Sequence, residues 1–301
     1  MIELKNEKIA IPVVLFAGLL WSFGPLVVRH MDQPGLVPWQ YIFARGLTIF
    51  IVLNLFLFFE EGLDFYKNYF KAGISGLIGG CGLGIAMITF IYSITNTTAA
   101  VTLLCLAAMP FFTALLGFLF LKENISVNVW IAIFIATIGI IIIAFGNTEK
   151  NSLIGLIFGM TSSVGFSVFS VTLRWRKETP KFTTVAIAGF FCVFIATIFI
   201  LFNKASFFST SYNGSLFSLH GTIVCMGLIL YSIGSKAIPA AELTLLSLTE
   251  VIGGIFWVWL PLFGINEIPS TNTIIGGFFL FMSIIYYSLT IKTNRRFIAL
   301  N

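Results

Sequence analysis

The strongest constraint on this chain is a regular recurrence of apolar runs, each about as long as a bilayer is thick. They fall at about 9–28, 39–59, 72–94, 99–121, 127–145, 153–173, 183–202, 216–238, 240–263 and 273–291. A helix needs roughly 20 apolar residues to cross a hydrocarbon layer of about 30 Å, whereas a barrel strand needs about half that with strict alternation. These runs have helical length and do not alternate. The sequence therefore predicts an all-α membrane protein with ten transmembrane helices.

Two of the runs read as copies of one another. Residues 99–123 are AAVTLLCLAAMPFFTALLGFLFLKE, and residues 241–267 are AELTLLSLTEVIGGIFWVWLPLFGINE. Each opens on small residues and closes on a glutamate, Glu123 or Glu267. Aligning those glutamates, with three extra residues near Pro261, sets Pro110 beside Val251 and Met109 beside Glu250. The loop 146–152 then divides two sets of five runs, 1–147 and 148–301. An odd number of spans per half makes the second half enter the membrane from the opposite side. That is an inverted-topology repeat, an arrangement whose solute sites lie near midplane between the halves.

Charge tests this count. Charged residues are 10% of the chain and apolar ones 58%. Soluble chains carry about a quarter charged residues. With ten spans, both termini share a face. That face holds Lys5, Lys8, Lys67, Lys71, Lys122, Arg174, Arg176, Lys177, Lys181, Lys236, Lys292, Arg295 and Arg296, against Arg29, Lys150 and Lys204 opposite. The positive-inside rule then places both termini in the cytoplasm of a bacterial inner (plasma) membrane. The N-terminal run lacks a small-residue cleavage site and is read as a retained span. The net charge of +5 resides in these short loops, not on a basic face with interleaved aromatics, so no nucleic-acid partner is expected. The expected partners are the lipid bilayer and a small-molecule substrate, and the expected state is a monomer.

Charges inside the runs are where function is sought, because ionisable groups at membrane depth face the bundle interior or a wet cavity. Glu250 lies near the centre of the ninth run and Arg45 seven residues into the second. Glu250 is read either as a site for a substrate ammonium or coupling proton, or as a carboxyl bonded to a neighbouring helix. Arg45 is read chiefly as a structural or coupling residue that snorkels or ties a loop. Trp21, Tyr92, Phe166, Tyr231 and Trp257 lie at similar depth, and buried Trp and Tyr need partners for their N–H and O–H groups. They are pocket candidates with Glu250. Ser163, Ser167 and Ser247 could bond a solute or their own helices. Pro110 should bend the fourth span by removing a backbone hydrogen bond. The glycines of the third run, 73–84, are read as a close-packing face.

Other chemistries find little support. Cys81, Cys105, Cys192 and Cys225 have no CxxC spacing, and His30 and His220 have no evident partner. No metal site and no cofactor are expected. There is no GxxxxGK[ST], HExxH or Gly-x-Ser-x-Gly pattern, so an enzyme is not expected.

Taken together, these residues resemble the drug/metabolite transporter (DMT) superfamily, in its ten-helix EamA-type branch. The carriers are LLWSFGPLVVRH in the first span, with Ser22 where Gly is usual, Arg45 in the second, and Pro110 with the closing Leu121-Lys122-Glu123 in the fourth. Leu153-Ile154-Gly155 is similar to the start of the family's second repeat. LSLTEVIGGIFWVWL resembles a Leu-Glu-Pro-Val element, with Glu250 matching and Val251 replacing proline. Glu267 and Gly276-Gly277 resemble the family's residues C-terminal to that element. The resemblance implies a cavity lined by spans 1, 3, 4, 6, 8 and 9, with 5 and 10 peripheral.

The expectation is thus a secondary transporter exporting small metabolites, amino acids or related amine-bearing compounds, by alternating access. The substrate would meet Trp21, Tyr92, Phe166, Tyr231, Glu250 and Trp257, while Arg45, Pro110, Glu123 and Glu267 serve structure or coupling, with a proton as candidate coupling ion. The rivals are an uptake permease of the same fold, an intramembrane enzyme and a non-transporting receptor.

Overall fold

A computed structural model of the chain describes residues 6–123, 125–146, 153–176, 178–265, 268 and 270–298. Among these the secondary structure is helical throughout: α1 Glu7–Trp21, α2 Gly24–His30, α3 Pro38–Glu61, α4 Lys67–Asn96, α5 Ala99–Leu106, α6 Met109–Leu116 and α7 Val127–Gly146 come first. Then follow α8 Leu153–Trp175, α9 Lys181–Phe202, α10 Ser211–Gly234, α11 Ala240–Leu246, α12 Thr249–Trp259 and α13 Thr271–Ile298. Each apolar run has a helical counterpart, so this is an all-α membrane protein. Large apolar side chains such as Phe59, Phe70 and Phe202 stand more than four-fifths exposed, as lipid-facing groups do. Glu267 and the loop 147–152 lie outside the described residues.

Three of the runs are broken. The first stops at Trp21 and restarts at Gly24, the fourth is α5 plus α6, and the ninth is α11 plus α12. In the fourth, Pro110 has no N–H to give to the preceding turn, and the chain tightens just before it. Ala108 N–H reaches Cys105 O at 3.1 Å, and Phe112 N–H reaches Ala108 O at 3.3 Å. The ninth repeats that pattern without a proline: Leu248 N–H reaches Leu245 O at 3.2 Å, and Ile252 N–H reaches Leu248 O at 3.3 Å. There the turn is backed by Ser247, whose hydroxyl donates to Thr244 O at 2.8 Å, a local bond that competes with the helical ladder. By this hydrogen-bond register Ala108 corresponds to Leu248, so Pro110 corresponds to Glu250. Pairing by the terminal glutamates had set Pro110 beside Val251, one residue away.

The helices pair in an ordered way. α3 packs on α9, α7 on α13, and the α5–α6 span on the α11–α12 span. α4 packs on α8 and α9, while α10 packs on α1 and α3. Exchanging every span for the one five places along returns the same set of pairs. The α4 face is indeed a close-packing one. A Cβ on Gly82 would meet the Gly165 carbonyl at 3.0 Å, and one on Gly165 would meet the Gly82 carbonyl at 2.6 Å. α4 also departs from helical geometry at Gly73, with φ +52°, a region glycine enters without steric cost.

The segment 203–215 is partly structured. α10 begins at Ser211 with Thr210 as its cap, accepting from Asn213 N–H at 3.2 Å. The Asn213 side chain then clasps Asp32, accepting from its N–H at 2.9 Å and donating to its carbonyl at 3.0 Å.

Candidate functional site

A cavity lies where these broken and close-packed helices meet. Its wall is Trp21, Arg45, Leu83, Ala86, Met87, Phe90, Leu106, Met109, Ser162, Phe166, His220, Val224, Leu228 and Glu250. These come from α1, α3, α4, α5, α6, α8, α10 and α12. α7 and α13 contribute nothing to it and pack on one another. Arg45 adds the second span to the set implied by the resemblance.

The break in the ninth span sets Glu250 on the wall. It is 9% exposed, and no donor among the described residues hydrogen-bonds its carboxylate. Arg45 is 4% exposed. Its guanidinium carbon sits 5.9 Å from the Phe90 ring centroid, and its Nη1 is buried with no hydrogen-bond partner among the described residues. No ion pair within 4 Å joins the two there. Burying an unpaired charge costs several kcal/mol, even after relaxation and water penetration. A carboxyl and a guanidinium therefore share one wall with the polar Ser162 and His220, among side chains that are otherwise mostly apolar.

Beside Arg45 is a polar pair, Tyr41 and His220. Their hydroxyl and Nδ1 share a short hydrogen bond, and the rings lie 5.8 Å apart. The His220 ring fits against Gly24, where a Cβ would stand 2.8 Å from Nε2. His220 was thus a site residue that sequence reasoning left without a partner. Its partner lies 179 positions away, beyond the reach of any local spacing.

The six predicted pocket residues divide into three groups. Trp21, Phe166 and Glu250 line the cavity. Tyr231 stands one layer behind, with its ring 5.4 Å from Trp21 and 5.3 Å from Phe166 and its hydroxyl 2.7 Å from Ser170 Oγ. Trp21 is held by the bond from its indole N–H to Val224 O, 3.2 Å. Tyr92 and Trp257 are placed elsewhere. Tyr92 packs between Trp39 and Phe158, 5.2 Å from each. Trp257 stacks on Phe23 at 4.7 Å and donates to Ser22 Oγ at 2.8 Å, bracing the break in the first span.

The serines serve the backbone. Ser163 donates to Cys105 O through a short bond and Ser167 to Met109 O at 3.2 Å, so α8 satisfies carbonyls near the break between α5 and α6. His30 contacts Leu26 O at 2.8 Å and Phe263 O at 2.9 Å.

At the far end of the bundle, Arg174 forms a cross-brace. Its Nε donates to Glu123 Oε1 at 2.6 Å, and its Nη1 donates to Ser235 O and Ile238 O at 2.9 and 2.8 Å. Glu123 Oε2 in turn accepts from Ala240 N–H at 3.4 Å. Lys181 donates to Ser235 Oγ, and Tyr287 donates to Glu242. Four cysteines are free, and no cluster of metal-ligating side chains occurs among the described residues.

Residues 8–145 match the EamA-like transporter family. An uncharacterized transporter of Helicobacter pylori strain J99 is 26% identical over 66% of this chain and 66% of its own length. A second, from strain 26695, is 24% identical over 82% of this chain and 84% of its own. The uncharacterized transporter YdfC of Bacillus subtilis is 28% identical over 72% of each. One protein of known crystal structure superposes with a TM-score of 0.71 over 96% of this chain and 99% of that one, at 17% identity. That likeness is one of fold.

Proposed function

We propose that this multi-pass membrane protein, whose residues 8–145 match the EamA-like transporter family, is a transporter of that family and exports a small amine-bearing metabolite, an amino acid or a close relative, by alternating access. The observation that carries this reading is Glu250: a nearly buried carboxylate without a donor, on the wall of a central cavity. A substrate ammonium supplies the missing partner, and a coupling proton is the alternative occupant when the substrate leaves.

The proposal extends to the frame. Residues 1–147 and 148–301 are two inverted repeats, supported by the exchangeable helix pairs and the matching breaks at Ala108 and Leu248. The excess of Lys and Arg at one end supports cytoplasmic termini in a bacterial inner membrane. The Arg174–Glu123 brace then closes the cytoplasmic end, and the repeats rock about the cavity to open it.

The test is counterflow of labelled amino acids and amines in proteoliposomes, with and without a pH gradient. The expected result is flux of at least one such compound in wild type, reduced about 100-fold or more in Glu250→Gln, which keeps shape and loses charge. Wild-type flux in a Glu250→Gln protein that purifies as a single species would overturn it. A pH gradient that drives only inward accumulation would assign the import direction instead.

A further inference from the structure

Glu250 is one charge of the cavity, and the role assigned to it leaves the other unexplained. Arg45 is a buried guanidinium on the same wall. A structural arginine at this depth would be expected to spend its donors on a carboxylate, on helix-end carbonyls or on a loop. Arg174 shows what that looks like in this same protein, with a carboxylate and two carbonyls in contact. Arg45 has none of these, and its Nη1 is unsatisfied. The Tyr41 hydroxyl beside it is within hydrogen-bonding reach of the guanidinium, but a hydroxyl brings no negative charge to compensate it. Its one ring contact, Phe90, holds the guanidinium near an aromatic face and provides no acceptor.

We propose that Arg45 is the anion-recognition residue of the site, so that the substrate is a zwitterion: its carboxylate on Arg45, its ammonium on Glu250, and an apolar side chain against Leu83, Met87 and Val224. This inference rests on the Glu250 reading and adds the second charge to it. The physical case is one of pairing. A zwitterion brings both missing counter-charges at once and adds no net charge to a low-dielectric cavity. A simple amine leaves Arg45 unpaired, and a simple acid leaves Glu250 unpaired. A planar guanidinium also offers a fork that fits a carboxylate with two parallel bonds. Discrimination by leaving a buried polar group without its partner is steep, because the site was built around that partner.

The experiment is ligand-induced thermal stabilisation and equilibrium binding on the purified full chain. The probes are leucine, methionine and phenylalanine, each beside its decarboxylated amine and its deaminated acid. Wild type is expected to bind at least one amino acid about 10-fold or more tighter than both counterparts. Arg45→Gln is expected to lose about 10-fold or more for that amino acid while binding the amine as wild type does. Glu250→Gln is expected to do the reverse, sparing the acid. Wild type that binds the amine as tightly as the amino acid overturns the proposal. So does a folded Arg45→Gln protein that keeps the preference. Should Arg45→Gln not fold, Arg45→Lys serves: it keeps the charge without the fork, and an unweakened preference there counts against the proposal equally. In these cases amine binding that is still lost in Glu250→Gln leaves the Glu250 reading standing. If no probe binds wild type, both readings fall.

Discussion

Trp21 shows how a single side chain is held at the cavity without being free to move. Its indole lies against Gly227, where a Cβ would stand 2.2 Å from Nε1, and its N–H is spent on Val224 O. Gly227→Ala therefore has to displace the ring or the helix. Overpacking of this kind costs about 1–3 kcal/mol. Gly277→Ala is the control, since nothing lies within 4 Å of its Cβ position, and a helical alanine gains about 0.5–1 kcal/mol over glycine. Thermal unfolding in detergent should show Gly227→Ala lowered and Gly277→Ala unchanged or raised. Equal midpoints would mean that the Trp21 contact is soft.

At the scale of elements, the breaks in the fourth and ninth spans need partners, because water is not there to take unpaired carbonyls. α8 supplies them in the fourth span through Ser163 and Ser167. The Cys105 carbonyl also accepts from Ala108 N–H, so removing the Ser163 donor takes one of its two hydrogen bonds, at about 0.5–1.5 kcal/mol. Ser163→Ala should therefore lower the unfolding midpoint more than Thr161→Ala, whose exposed hydroxyl bonds only Ile157 O of its own helix at 2.8 Å. If the two variants unfold together, the break is satisfied by other means. Pro110 was visible as a helix breaker in the sequence, whereas the equivalent turn at Leu248 was not. It has no proline and relies on Ser247, a residue type that gives no unique signal mid-helix.

At the scale of the molecule, the Arg174 brace joins α8 to Glu123, Ser235 and Ile238 at one end of the bundle. A hydrogen bond to a charged group contributes about 1.5–3 kcal/mol, enough to shift a two-state equilibrium about 10-fold or more. With the fully buried Ser235 replaced by cysteine, thiol labelling should be about 10-fold faster when Glu123→Gln is added. An unchanged rate would mean that this end is closed by packing alone.

The helical character and length of each apolar run were legible in the sequence, because the bilayer imposes them run by run: each span must be long and apolar in itself. The depth of Glu250 and Arg45 was legible for the same reason, since charge is costly there wherever it points. What the linear chain left open was rotation. In a soluble helix the polar face marks the outside, but here the lipid face and the packed face are both apolar, and the periodicity that would orient each helix is erased. So Tyr92 and Trp257, at plausible depth, turned out to face other aromatics. Arg45 and His220, read as a tie and a bystander, came to the cavity wall. Only the tertiary packing of α3, α10 and α12 decided that two distant charges share one hollow, because which side of a helix faces inward is a property of its neighbours.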